Sequence, residues 1–288
     1  MAVTTTSASA SAMTPSEPRF RFRLKFSLLV GLVLLVIFVL MALFPGKIAP
    51  YSPTDFDYTA ILQAPSWVHL FGTDNFGRDI LSRVIWAARV DLQIAIFTTL
   101  FPFIFGTFVG AITGYYGKWL DAIFGRIVDI VIVFPFLVLV IAIVAFLGPG
   151  LNNMYIAVSA VGWVAYGRLV RGEMLVQKQA EYALAAKTMG YTSRRIIGRH
   201  LLPNVIGSSL TYWMTDMSLG ILLGASLGYL GLGAQPPTAE WGVMVADGKN
   251  FMVTAPWIAT FPALALTFAG LTFSFIGDGV ADLLRPKK

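Results

Sequence analysis

The sequence has no cysteine, only two histidines and little charge. Charged residues make up 12% of its 288 positions, whereas an average soluble domain has about 25%. Without thiols the chain can form no disulfide and no cysteine-based metal or nucleophilic site. The histidines, His69 and His200, lie in separate polar stretches, and we predict no metal site shared between them.

A complete phosphate-binding loop is also missing. The segment Gly114-Tyr-Tyr-Gly117-Lys118 has part of the pattern, but no Gly stands five residues before Gly117 and no Ser or Thr follows the lysine. That pattern needs both features to cradle phosphates and magnesium. We therefore predict that the chain is not an enzyme and binds no cofactor of its own.

Apolar sequence dominates the chain. Hydrophobic residues make up 57% of it, and the mean hydropathy is +0.73. A helix needs about 20 mostly apolar residues to cross a bilayer core of about 30 Å. We predict an all-α, polytopic membrane protein with six transmembrane helices and both termini on one side. The six segments are 27–44, 92–117, two within 130–167 separated at Gly148–Asn153, and about 205–230 and 257–277.

Lys and Arg are unevenly distributed among the connections. Sixteen of the 21 lie in the N-terminal tail, in the connection at 118–126, between 168 and 199, or at the C-terminus. Lys and Arg are retained preferentially on the cytoplasmic side of a membrane. The distribution therefore predicts that both termini and the 168–199 stretch are cytoplasmic.

The N-terminal residues 1–25 are rich in Ser, Thr and Ala, and we predict a disordered cytoplasmic tail. A mitochondrial presequence or a secretory signal shares some of these features. The apolar run that follows is longer than a signal core, however, and five more predicted spans come after it, so we expect an uncleaved first helix. The rest of the chain divides into this helix with the segment after it, 26–91, and a transmembrane domain, 92–288.

Glycines recur every four residues in two of the predicted spans, at Gly106, Gly110 and Gly114 and again at Gly220, Gly224 and Gly228. Small residues at this spacing let helix backbones approach closely in a membrane. We predict close helix packing at both places. The pattern leaves open whether the neighbour is internal or belongs to another subunit.

A basic polar stretch lies between the fourth and fifth predicted spans. Tyr182, Ala185, Ala186 and Met189 recur at i, i+3, i+4 and i+7, which predicts a helix with one small apolar stripe. Gly190 suits the left-handed conformation that ends a helix.

A second short helix is expected after this glycine. Thr192 or Ser193 can cap it, and Pro203 favours the start of the helix that follows. The alternative interpretation is a basic loop attracted to anionic lipid, which would require neither paired alanines nor a fixed Gly and Pro spacing.

The pattern Glu181-Tyr-Ala-Leu-Ala-Ala-Lys-Thr-Met-Gly190, followed at a distance by Leu202-Pro203, resembles the EAA loop of ABC-transporter permeases. In that family two short helices dock into an ATPase subunit, which implies a coupling loop over about residues 172–203. Leu184 stands where the motif often has Glu. The coupling residues implied by the resemblance are Glu181, Ala185, Ala186, Gly190, Arg194, Arg195, His200 and Pro203.

The outer segment, Leu70–Leu92, contains Gly-Thr-Asp-Asn-Phe-Gly-Arg-Asp at 72–79 and resembles the matching segment of dipeptide, oligopeptide and nickel permeases. Its glycines permit turns, its acids can pair with Arg78, Arg83 or Arg89, and residues 80–92 can form an amphipathic helix. We predict an extracytoplasmic scaffold rather than a substrate site. Its residues are Gly72, Thr73, Asp74, Gly77, Arg78, Asp79 and Arg89.

The resemblance covers about residues 25–286 and implies the type I ABC importer permease fold in a bacterial cytoplasmic (inner) membrane. It implies a paralogous permease partner, two ATP-binding subunits that use ATP and Mg, and an extracytoplasmic solute-binding protein. Peptides are the expected substrate, with nickel or another small solute as the alternative. Homo- or hetero-pairing of the permease stays open.

One departure from the family concerns a buried acid. Gly224 stands where these permeases usually have an acidic residue, and Asp216 lies about two turns earlier. Because an ionisable group is costly at membrane depth, Asp216 is a candidate pathway residue; the alternatives are that it lies near the helix end or pairs with a partner subunit. It also leaves room for an ion-coupled secondary transporter, although neither an internal repeat nor broken helices with ion ligands are evident. A membrane scaffold without transport is the remaining alternative.

Overall fold

The computed structural model describes residues 26–284, and the regular structure of this range is helical, with one isolated β-bridge between Thr73 and Asp79. The predicted tail at 1–25 lies outside the described residues. The principal helices are α1 (Phe26–Leu43), α2 (Pro45–Ile48), α3 (Ile80–Tyr116), α4 (Lys118–Ile132), α5 (Phe136–Leu147), α6 (Leu151–Gln177), α7 (Glu181–Thr188), α8 (Ser193–Arg195), α9 (Leu202–Tyr229), α10 (Trp241–Gly248) and α11 (Trp257–Leu284).

Three of these helices, α1, α3 and α11, are long and apolar enough to cross a membrane, and α4 with α5 adds a fourth if the bent pair is one span. Helices α6 and α9 have 27 and 28 residues, a sufficient length at 1.5 Å per residue, but they are more polar. The all-α fold is confirmed, and the count of six spans stays a prediction.

The third predicted span is not one straight helix. We expected it to run from Ile130 towards Gly148, but α4 ends at Ile132 and α5 starts at Phe136, with a bend of 86° between them. Pro135 explains the break, because it has no N–H to donate and disfavours a helical conformation in the residue before it. The turn predicted at Gly148–Asn153 does separate α5 from α6.

The helix expected over residues 80–92 is continuous with the second span. Asp79 caps it by accepting a hydrogen bond from the Ser82 backbone N–H at 2.8 Å, and α3 then runs unbroken for 37 residues. Ala87, Ala88 and Asp91 are fully buried within its first turns. This part of α3 therefore lies in the protein core, not along a membrane surface.

The glycines spaced four apart pack against helices of the same chain. A Cβ on Gly110 would collide with the carbonyl oxygen of Gly167 in α6, and one on Gly114 would lie 2.8 Å from the Met174 side chain. In α9, a Cβ on Gly220 would lie 2.8 Å from the Thr98 hydroxyl of α3. The question left open by the sequence is settled, because these close approaches join α3 to α6 and α9.

Gly110→Ala should destabilise the protein by about 1–3 kcal/mol, the usual cost of adding a methyl group where no space exists. The matched control is Gly125→Ala in α4, where a Cβ meets nothing within 4 Å and the gain in helix propensity should make the change neutral or stabilising. Thermal midpoints of the two variants, purified in detergent, test this. Equal midpoints would show that the contact between α3 and α6 accommodates the added methyl group without loss of stability.

Candidate functional site

The coupling loop folds as two short helical pieces between α6 and α9. Helix α7 ends before Gly190, whose φ of +79° is the left-handed conformation that glycine adopts at low cost. Thr192 precedes α8 without a capping side-chain bond, and a π-helical segment, Ile196–Leu201, leads into α9. Pro203 lies in the first turn of α9, as predicted.

One face of the coupling loop is buried against the ends of α6 and α9. Ala183, Ala186, Ile196 and Leu201 form a buried apolar cluster with other residues of those helices. The Lys178 ammonium also donates to the Gly114 carbonyl oxygen of α3 at 2.8 Å. The loop is therefore anchored to the helices and can move with them.

The apolar stripe predicted for α7 is divided between two faces. Ala186 is 1% exposed and packs inward, whereas Tyr182, Ala185 and Met189 point outward. The difference arises because the i, i+3 spacing places Ala186 next to Ala183 on the buried side of the helix. Ala186 thus supports the loop from inside, and the exposed surface has Ala185, Leu184 and Met189 instead.

The exposed face of the coupling loop is strongly basic. Arg194, Arg195 and Arg199 are exposed. Arg195 lies over the Tyr191 ring, 4.2 Å from its centroid, and His200 stacks on the same ring. Tyr191 therefore orders two of the residues predicted to face the ATPase. Glu181 is exposed at the start of α7, where an acid is favourable to the helix dipole.

The outer segment is held by a buried ion-pair network centred on Asp74. One carboxylate oxygen of Asp74 accepts from Arg78 Nε and Arg83 Nη1, both at 2.6 Å. Its other oxygen accepts the backbone N–H groups of Phe76 and Arg78. All three charged side chains are at least nine-tenths buried. The role of this segment as an extracytoplasmic scaffold stays a prediction.

Two contacts of the outer segment were missed by sequence reasoning. Asp247, at the end of α10, lies 3.7 Å from Arg83 Nη2, and partial burial raises the pKa of its carboxyl group while Arg83 and Arg78 oppose that rise. His69 contacts Asp79 at 3.0 Å. Both contacts join residues whose approach depends on how the loops fold, so no local pattern pointed to them.

Arg89 has a different role from the one expected. It pairs with neither Asp74 nor Asp79 but donates to the carbonyl oxygens of Ala42 and Leu43 at the end of α1. A helix leaves its last carbonyls unpaired, so the guanidinium caps α1 and joins it to α3. The glycines behave as predicted, since Gly72 and Gly77 have φ of +75° and +74°.

A second buried acidic site lies where α3, α9 and α10 meet. Glu240 and Asp91 are fully buried; Glu240 accepts from the backbone N–H groups of Gly242 and Val243, and Asp91 accepts from that of Trp241 at 3.2 Å. Burial raises the pKa of the Glu240 carboxyl group. Its carboxylate fills the space beside Gly228, so the missing side chain there makes room for the acid.

The acid absent at position 224 cannot simply be restored. A Cβ on Gly224 would collide with the Ile94 side chain of α3.

The segment Gly224-Ala-Ser226-Leu-Gly228 matches the nucleophile pattern Gly-x-Ser-x-Gly, which requires a sharp strand-to-helix turn. Here it lies inside α9, and Ser226 donates to the Leu222 carbonyl of its own helix.

A cavity of about 530 Å³ lies between α3, α6, α9 and the α4–α5 break. Asp216 lines it, and one of its carboxylate oxygens accepts from the Tyr166 hydroxyl at 2.7 Å. The structure thus places the predicted pathway residue at a cavity wall. No group of three or more His, Cys, Asp or Glu residues suited to a metal occurs within residues 26–284.

Comparisons with known proteins agree on one family. A family model described as binding-protein-dependent transport system inner membrane component matches residues 106–288. A second, described as the N-terminal TM domain of oligopeptide transport permease C, matches residues 19–65.

Similar proteins come from several bacteria. The dipeptide transport system permease protein of Alkalihalophilus pseudofirmus is 42% identical, over 90% of this chain and 85% of that protein. The glutathione transport system permease protein of Pectobacterium atrosepticum is 40% identical, over 89% of this chain and 85% of that protein. These matches confirm the resemblance found in the motifs.

Asp74→Asn should destabilise the protein by about 3–5 kcal/mol, because it leaves two buried arginines without their carboxylate. Asp55→Asn, at an exposed position in the same region, is the matched control and should have little effect. The measurement is the thermal midpoint of each purified variant. A midpoint for Asp74→Asn as high as that of the control would mean that the network does not hold the outer segment.

Proposed function

This chain belongs to the family of inner membrane components of binding-protein-dependent transport systems, and we propose that it forms half of the translocation pathway of an ATP-driven peptide importer. It is the permease subunit, and ATPase and binding-protein partners are general features of such systems. The relatives are named for dipeptide and glutathione transport, which supports peptides as the substrate. Nickel or another small solute is the alternative.

The observation that carries this proposal is the position of the coupling loop. It joins α6 directly to α9, and these two helices supply most of the cavity lining. Its buried face packs on both of them. Movement of a docked ATPase would therefore be transmitted to the two cavity walls as a rigid-body shift.

The assembly we propose contains a second, paralogous permease, two ATP-binding subunits and an extracytoplasmic binding protein, in a bacterial inner membrane with both termini cytoplasmic. ATP and Mg would be used in the ATP-binding subunits, and this chain would have no catalytic role. The exposed apolar and basic residues of the coupling loop face the ATPase in this arrangement. The outer segment with its Asp74 network lies on the other side, as a scaffold.

Met189→Glu tests the docking surface without straining the loop, because Met189 is 63% exposed and precedes the left-handed Gly190. The same substitution at Val253, 97% exposed between α10 and α11, is the matched control. When the tagged chain is purified gently from its own membranes, we expect Met189→Glu to lose the ATPases but keep the second permease. Mass spectrometry should find the full assembly with Val253→Glu.

Gly190→Asp should have the same selective effect, because an L-residue is strained at its φ of +79° and the loop would change shape. Recovery of the ATPases with both variants would place docking elsewhere. Recovery of the chain alone, even without substitution, would favour a secondary transporter.

We also propose that Asp216 faces the substrate pathway. Asp216→Glu should then retain far more peptide uptake than Asp216→Asn, since the first keeps the negative charge at the cavity wall. The assay is ATP-dependent uptake into vesicles that contain the assembled importer. Equal uptake by the two variants would assign Asp216 a packing role.

A further inference from the structure

The cavity beside Asp216 has an apolar wall with two charges of opposite sign. Its volume of about 530 Å³ falls within the range of roughly 300–1,000 Å³ that is usual for small-molecule sites. Val158, Val161, Leu219 and Leu223 are typical of its lining. Of the described residues that line it, Asp216 and Arg168 are the charged ones.

These two charges do not neutralise each other. No salt bridge joins Arg168 to Asp216, and Arg168 makes no hydrogen bond or ion pair within the described part of the chain. Asp216 has one partner there, the neutral Tyr166 hydroxyl. Asp216 is partly buried, and an ionised carboxylate in an apolar wall is costly unless it is paired. Arg168 is exposed and its guanidinium is free to donate, so the cavity offers one acceptor and one donor site to a ligand.

The acceptor is held in place by rigid packing. Tyr166 is fully buried, and its ring packs edge to face against Phe103 and Tyr212. This fixes the hydroxyl that binds one Asp216 oxygen, while no hydrogen bond reaches the other oxygen, Oδ1, within residues 26–284. A preorganised acceptor of this kind loses little freedom when a ligand binds.

We propose that this cavity binds a short peptide by both of its charged ends, with the α-ammonium group on Asp216 and the α-carboxylate on Arg168. The proposal rests on the peptide importer proposed above and adds to it the part of the substrate that this chain recognises. Arg suits the second role because its planar guanidinium can donate two parallel hydrogen bonds to a carboxylate.

The pair of charges disfavours ligands with one charge. A simple cation would gain nothing from Arg168, and an anion would leave Asp216 facing an apolar cavity with only Tyr166 as its partner. The apolar lining between them suits side chains of varied size, because hydrophobic contacts discriminate weakly between chains that differ by a methylene. The site would therefore select free termini and tolerate many sequences.

The test is binding of the dipeptide Ala-Phe, its N-acetyl form and its C-terminal amide to the purified importer without its binding protein. Ligand-observed NMR gives the dissociation constants. In the unsubstituted importer, acetylation or amidation of the peptide should each raise the dissociation constant about tenfold. This factor corresponds to the lower end of the free energies found for hydrogen bonds to charged groups. Asp216→Asn should remove the penalty for acetylation but keep that for amidation, and Arg168→Gln should do the reverse.

Arg168→Gln should leave the fold intact, because Arg168 is exposed in the chain and makes no hydrogen bond or ion pair within residues 26–284. Asp216→Glu and Arg168→Lys should restore most of the lost preference. Asp129→Asn, an exposed carboxylate of α4 outside the cavity lining, is the matched control and should leave both penalties unchanged.

Three results would overturn the proposal: no binding, equal binding of all three peptides, or variants that weaken all three equally. Equal binding would indicate that residues of another subunit neutralise both charges. Peptide uptake by the complete importer with ATP is measured on the same preparation. If uptake occurs but acetylation and amidation do not weaken binding as described, only this inference fails. An absence of uptake rejects the peptide importer itself.

Discussion

Close backbone contact between α3 and its neighbours is the constraint on which the rest of this structure depends. In a membrane, lipid is as apolar as the helix surfaces, so association relies on packing and hydrogen bonds rather than on the hydrophobic effect. Gly110 and Gly114 bring α3 onto α6, and Gly220 brings α9 onto α3. Because α6 and α9 are thereby held to one central helix, the cavity between them has fixed walls.

The same helix anchors both polar regions of the protein. Its N-terminal turn is capped by Asp79 and contributes Arg83 to the Asp74 network. Its other end supplies the carbonyl oxygens that bind Lys178 of the coupling loop. A buried ion pair is weak evidence for stability, because desolvation offsets much of the attraction. In this protein the network has a clear geometric effect, since it attaches the loop before α3 and the end of α10 to one point.

The coupling loop and the cavity are connected through the helices they share. Ala183 and Ala186 pack the loop against the ends of α6 and α9. About halfway along both helices, the Tyr166 hydroxyl of α6 donates a hydrogen bond to Asp216 of α9. A force on the loop therefore acts on the two helices that hold this hydrogen bond. The distance between the loop and Asp216 is covered by continuous helix, which transmits displacement with little bending.

The sequence alone determined what depends on neighbouring residues: the apolar helices, the left-handed turn at Gly190, the break at Gly148–Asn153 and the family motifs. These features follow from periodicity, turn chemistry and spacing, which act within about a dozen residues. The tertiary structure decided which residues meet across the chain. It turned Ala186 inward, brought Asp247 to Arg83, joined Asp91 to the start of α10 and placed Arg168 on the same cavity as Asp216. The last three pairs lie tens of residues apart, and only helix packing determines whether they meet.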